Sequence, residues 1–151
     1  MCKMMNLDQN MIVLNQKYDT KEDAIRAAGQ LLVDGGCVST DYIDSMIARN
    51  KELSTYVGNF IAIPHGTEEG KKYIKKTGIS FIQVPEGIDF SDDPAKKQIV
   101  TAIFGIAGIN NEHLQVLSQI ASFCGQIENV AHLADAQSKQ EVIDLLEGAK
   151  G

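Results

Sequence analysis

The sequence predicts a single α/β domain spanning residues 1–151, with one mixed β-sheet flanked by α-helices. Short runs of β-type residues alternate with stretches of helical periodicity. Residues 99–106, IVTAIFGI, are nearly all apolar, as a central strand covered on both faces must be. A chain of 151 residues without internal repeats or a Pro/Ser-rich linker suits one hydrophobic core.

The elements follow in order. Residues 11–14 form a short strand. Asp19-Thr20-Lys21-Glu22 opens a helix in capping-box fashion, Ala24, Ile25, Ala28, Leu31 and Leu32 line one face, and Gly35-Gly36 ends it. Ser39-Thr40-Asp41 opens a second helix with Tyr42, Ile43, Met46 and Ile47 inward and Arg49 near its C-terminal end. Three strands follow, at residues 59–63, 78–84 and 99–106, with Pro85-Glu86-Gly87 and Pro94 marking turns. Asn110-Asn111-Glu112 starts a helix that turns Leu114, Leu117, Ile120, Ala121 and Cys124 inward and stops at Gly125. Two further helices carry Val130 and Leu133, then Val142, Ile143, Leu145 and Leu146.

Composition narrows the function. No run of about 18 apolar residues exists, so no membrane insertion is expected. The start, MCKMMNLDQN, lacks the apolar core of a secretory signal. Cys2, Cys37 and Cys124 are odd in number and scattered, which points to a reducing, cytoplasmic location rather than a disulfide framework. A net charge of −6 argues against nucleic acid as a partner. The basic residues Lys71, Lys72, Lys75 and Lys76 cluster, and a solvated loop is favoured over a docking surface.

The chemistry concentrates in IAIPHGTEEG, residues 61–70. The three histidines, His65, His113 and His132, have no partner at ligand spacing, so no metal is expected. No phosphate-binding glycine loop or dinucleotide fingerprint occurs, and no cofactor is expected. His65 is left as either an ordinary turn histidine or a nucleophile towards phosphate. Pro64 stiffens the strand end before it, Gly66 admits a close approach after it, and Gly66 and Thr67 N–H groups with the Thr67 hydroxyl can face an anion. His113, in the first turn of a helix that follows a strand, is either packed beside Leu117 or placed at an anion site. Arg49 either complements a helix C-terminus or grips phosphate with two donors. His132 has no supporting context, and Glu68 and Glu69 should point outward or towards a partner, since they would repel phosphate.

Together, GNFIAIPHGTEEG, KTGISFIQVPEGIDF and NNEHLQVLSQIA resemble the enzyme IIA domain of the bacterial sugar phosphotransferase system, fructose/mannitol class, from about residue 11 to about residue 146. Gln-x-Pro-Glu-Gly and Asn-Asn-Glu-His make the chain most similar to the mannitol-specific members. The resemblance implies a mixed sheet flanked by helices and a phosphotransferase component. In that family a histidine matching His65 takes a phosphoryl group at Nε2 from phosphorylated HPr and passes it to a cysteine of a IIB domain, which serves the membrane IIC transporter. It also implies that His113 and Arg49 steady the phosphoryl group, and that a free-standing IIA protein works through transient docking around His65. Two other readings remain: a nitrogen-type regulatory IIA protein that signals through phosphorylation-dependent binding, and a non-catalytic small-ligand domain.

Overall fold

A computed structural model of the chain describes residues 9–93, 95–109 and 112–148, with the side chains of residues 113, 147 and 148 outside the description. Cys2, Pro94, Asn110 and Asn111 therefore lie outside the described residues, as does the His113 side chain. Strand β1 (Ile12–Val13) leads into helices α1 (Lys21–Asp34) and α2 (Asp41–Glu52). Then come β2 (Tyr56–Gly58), β3 (Ile61–Ala62), β4 (Gly78–Asp89) and β5 (Ile99–Ala107). Helices α3 (Glu112–Cys124), α4 (Ile127–Asp135) and α5 (Lys139–Gly148) complete the domain. The predicted mixed sheet is present, five strands in the order β1-β4-β5-β3-β2. Its two central strands are antiparallel, β1 runs parallel to β4, and β3 runs parallel to β5.

Alternation along the central strands divides the core between the two faces of the sheet. Ile82, Val84 and Ile103 meet Ile25, Ala28 and Leu32 of α1 and Tyr42 and Met46 of α2. Phe81, Phe104 and Ile106 meet Val116, Ile120 and Phe123 of α3, Leu133 of α4 and Val142 of α5. Phe81 and Phe104 are cross-strand partners whose rings meet edge to face, 5.1 Å between centroids.

Four local expectations are corrected. The first helix is capped by Thr20, whose hydroxyl accepts the Asp23 N–H, rather than by Asp19. The strand expected over residues 59–63 is a hairpin: Asn59 and Phe60 have φ of 50° and 68°, and the chain before them forms β2. Gly58, with a φ of 95°, precedes the turn, but its two central positions lack the glycine that usually marks this geometry. The Asn59 amide instead donates to Cys124 O at 2.8 Å, and Phe60 O accepts the Thr101 and Ala102 N–H groups. Pro85-Glu86-Gly87 does not end a strand. β4 runs through it with a register shift between Gln83 and Ile88, and Gly87 supplies a φ of 83°. In α3, Val116 and Phe123 are buried where Leu114 and Ala121 were expected, and Leu114 is 56% exposed.

One buried polar side chain joins two connections of this sheet. Gln83 is 3% exposed; its Oε1 accepts the Asn15 N–H at 2.9 Å, and its Nε2 donates to Leu133 O and Ala136 O, each at 2.9 Å. It thus ties the segment after β1 to the α4–α5 junction. Gln83→Leu keeps the volume and strands those backbone groups, so it should lower the free energy of unfolding by about 3 kcal/mol. Urea denaturation with an unchanged m-value checks this.

Candidate active site

β3 is short, but the backbone after it continues alongside β5. Pro64 O accepts the Ile106 N–H at 3.0 Å, and His65 pairs with Ile106 as an isolated parallel bridge. Proline costs nothing here because this position needs only its carbonyl. His65 therefore stands at the C-terminal ends of two parallel strands, the edge where ligands settle in open α/β sheets. A cleft of about 350 Å³ opens there, lined by Tyr42, Arg49, Glu52, His65, Thr67 and Gly108 among others.

The His65 ring turns back on its own strand. Its Nδ1 lies 2.9 Å from Ile63 O. A carbonyl only accepts, so Nδ1 carries the proton of this bond, and in the uncharged ring the lone pair sits on Nε2. The Ile63 peptide is itself held, since its N–H donates to Thr55 O at 2.9 Å. Thr55 is anchored in turn by Asn50 of α2, whose Oδ1 accepts both the Thr55 N–H at 2.9 Å and the Thr55 hydroxyl at 2.7 Å. A chain of four bonds thus runs from the last turn of α2 to the histidine.

Helix α2 supplies the opposite wall. Arg49 reaches the cleft from its last turn, and its Nη1 donates to Leu53 O at 2.7 Å. The two sequence readings of Arg49 are therefore compatible: one donor caps the helix end, and a guanidinium has further N–H groups for an anion. Gly66 fits because a Cβ there would lie 2.5 Å from both Ser45 Oγ and Tyr42 Cε1. Its N–H, expected to face an anion, instead donates to the Tyr42 hydroxyl at 2.9 Å. The reason is proximity: the phenol lies directly behind the peptide, on the helix side. Thr67 lines the cleft, and its Oγ1 accepts the Gly70 N–H at 3.2 Å, which leaves the hydroxyl proton able to donate outward.

The structure thus brings His65, Gly66, Thr67 and Arg49 to one cleft. His113 occupies the first turn of α3, and that turn is anchored by Thr77, whose hydroxyl accepts the Ile109 N–H at 3.0 Å and donates to Glu112. His132 is exposed in the last turn of α4. Glu68 and Glu69 are exposed at the cleft mouth, with Glu68 paired to Lys71 at 3.0 Å. Lys71 and Lys72 lie in a 3₁₀ turn, and Lys72, Lys75 and Lys76 are exposed. Burial pushes the Cys124 thiol up to about 12, which removes it as a nucleophile. Among the described residues no group of three or more His, Cys, Asp or Glu side chains is placed to hold a metal, and no helix is long and apolar enough to cross a membrane. Sequence reasoning passed over Tyr42 and Asn50 as polar supports. The available signal was an Asn at helical spacing from Tyr42 and Met46, on a face otherwise buried.

Known proteins are similar to this chain in sequence and in overall fold. Residues 5–149 match the family model described as phosphoenolpyruvate-dependent sugar phosphotransferase system, EIIA 2. The chain is 54% identical to the mannitol-specific phosphotransferase enzyme IIA component of Enterococcus faecalis, over 95% of this chain and 98% of that one. Enzyme IIAMTL of Escherichia coli, in complex with phosphorylated enzyme IIBMTL, is 40% identical and superposes with a TM-score of 0.89 over 95% of this chain and 99% of that one. Nitrogen regulatory protein IIA-Ntr from Neisseria meningitidis is 33% identical, with a TM-score of 0.79 over 93% and 95% of the two chains.

The support beneath His65 is open to direct measurement. Asn50→Ala strands two buried donors of Thr55 and should cost about 2 kcal/mol of stability. Amide hydrogen exchange should then quicken at Thr55 and Ile63 while the β4–β5 ladder keeps its relative protection.

Proposed function

The chain belongs to the EIIA 2 family of the phosphoenolpyruvate-dependent sugar phosphotransferase system, and from that premise we propose that it is the phosphoryl carrier of mannitol uptake, with His65 as the residue that bears the group. The observation that supports this most is the bond from His65 Nδ1 to Ile63 O, which puts the ring's lone pair on Nε2 in a solvent-open cleft. The donor is phosphorylated HPr. The Nε2 lone pair attacks phosphorus in line, the N–P bond to the HPr histidine breaks, and its electron pair returns to the HPr imidazole. Positive charge develops on the His65 ring, where the bond from Nδ1–H to the Ile63 carbonyl grows stronger.

The phosphoryl oxygens need donors. Arg49 and the Thr67 N–H and hydroxyl supply them from the cleft wall, and His113 adds a further donor from the first turn of α3. Gly66 contributes room rather than its N–H. In the second step a cysteine thiolate of the IIB domain attacks phosphorus, the His65 Nε2–P bond breaks, and its electrons return to the ring. Docking is transient, around the cleft mouth. The mannitol assignment rests on the relatives, since sugar recognition falls to the IIC transporter. The nitrogen-type regulatory reading is less supported, because its representative is the more distant of the relatives compared.

Incubation with phosphoenolpyruvate, enzyme I and HPr should add one acid-labile phosphoryl group by intact mass, and His65→Ala should add none. An unmodified wild-type chain beside phosphorylated HPr overturns the carrier reading. His113→Ala should still accept phosphate but transfer it about a hundredfold more slowly to a mannitol IIB protein. Arg49→Lys should be impaired despite its retained charge, because the planar donor fork is lost. Rapid-quench transfer rates check both.

A further inference from the structure

We propose that Tyr42 is a positioning residue for phosphoryl transfer, setting the backbone and ring orientation of His65; this rests on the carrier reading above. In a regular parallel ladder through the His65–Ile106 bridge, the Ile106 N–H would donate to Pro64 O, and the Gly66 N–H would donate to Ile106 O. The first bond is present at 3.0 Å. The two groups of the second are bridged by the Tyr42 hydroxyl, which accepts the Gly66 N–H at 2.9 Å and donates to Ile106 O at 2.9 Å. The residues on either side of His65 are therefore both tied to the Ile106 peptide, one directly and one through a phenol inserted from α2.

The insertion has a consequence for the ring. The 65–66 peptide is planar, so fixing the Gly66 N–H fixes the backbone from which the ring hangs. From that backbone Nδ1 reaches Ile63 O. Tyr42 is 2% exposed, and burial pushes its hydroxyl up to about 12, so it remains a donor to Ile106 O at any pH near neutrality. Ser45 Oγ donates to Tyr42 O at 2.7 Å one turn along the same helix. Without the hydroxyl, the Gly66 N–H and the Ile106 carbonyl lose this partner, the 65–66 peptide gains freedom to rotate, and the Nδ1–Ile63 bond is no longer enforced. Tyr42 does not touch the reacting atoms; its effect passes through His65.

The test compares wild type, Tyr42→Phe and, as a control for general destabilisation on the other face of the sheet, Gln83→Leu. Long-range nitrogen–proton spectra of the unphosphorylated chain read the His65 tautomer, and steady-state phosphorylation by phosphorylated HPr gives kcat and KM. Tyr42→Phe should lose part of the Nδ1–H tautomer and lower kcat about ten- to a hundredfold, with KM within about twofold, because docking is untouched. Gln83→Leu should keep the wild-type tautomer and kcat. Gly66→Ala, whose Cβ displaces the phenol without removing it, should reproduce the Tyr42→Phe defect and decides the matter if Tyr42→Phe does not fold. Wild-type spectra and kcat in Tyr42→Phe overturn the proposal, as does an equal defect in Gln83→Leu. A wild-type chain that accepts no phosphate overturns the carrier reading instead. The spectra then decide whether Tyr42 sets the tautomer: a shifted Tyr42→Phe supports it and an unshifted one overturns it.

Discussion

The Ile106 peptide is the point from which the cleft is built. It lies in a central strand, and the Ile106 side chain is fully buried between sheet and helices. A buried peptide must find partners for both its N–H and its carbonyl. β3 ends after two residues, so only an isolated bridge extends the ladder to Ile106. Pro64 answers with a carbonyl and Tyr42 with a hydroxyl. The need to satisfy one peptide in the core thus dictates where the chain runs at residues 64–66, and hence where His65 stands.

Helix α2 combines two roles on adjoining faces. Met46 and Ile43 dock it through apolar burial, each worth roughly 2 kcal/mol. Tyr42, Asn50 and Arg49 carry polar ends from the same helix to the loop, to Thr55 and to the cleft. Because these groups share one rigid element, they keep a fixed relation to each other. Packing precision, rather than any strong single bond, holds the site. The same economy appears at the start of α3, where Thr77 engages both Ile109 and Glu112.

Charge of both signs surrounds the cleft. Glu52, Glu68 and Glu69 rim the cleft on a chain of net charge −6, while Arg49 and Lys71 also line it. Rim carboxylates of this kind steer encounter more than they tighten binding. The polar groups of Arg49 and Thr67 in the cleft come from residues whose positions are set by backbone and helix geometry, so on the proposed function little reorganisation would accompany a transfer.

The α/β class, all five helices and the central strands were legible because they depend on local periodicity and capping, which the residue order carries directly. The cleft's position was legible too: proline, histidine, glycine and threonine at a strand end form a local pattern, and the structure opens a cleft there. The Asn59-Phe60 hairpin was not legible, because its two left-handed central residues, neither of them a glycine, are held by Cys124 and by β5. Nor was the continuation of β4 through Pro85, which depends on pairing with β5. At the site, sequence alone determined which residues have the chemistry for phosphoryl transfer. Only the tertiary structure decided that the Gly66 N–H faces Tyr42 and that Arg49 shares the cleft. Those outcomes depend on contacts between segments far apart in the chain, and residue order by itself does not encode their distances.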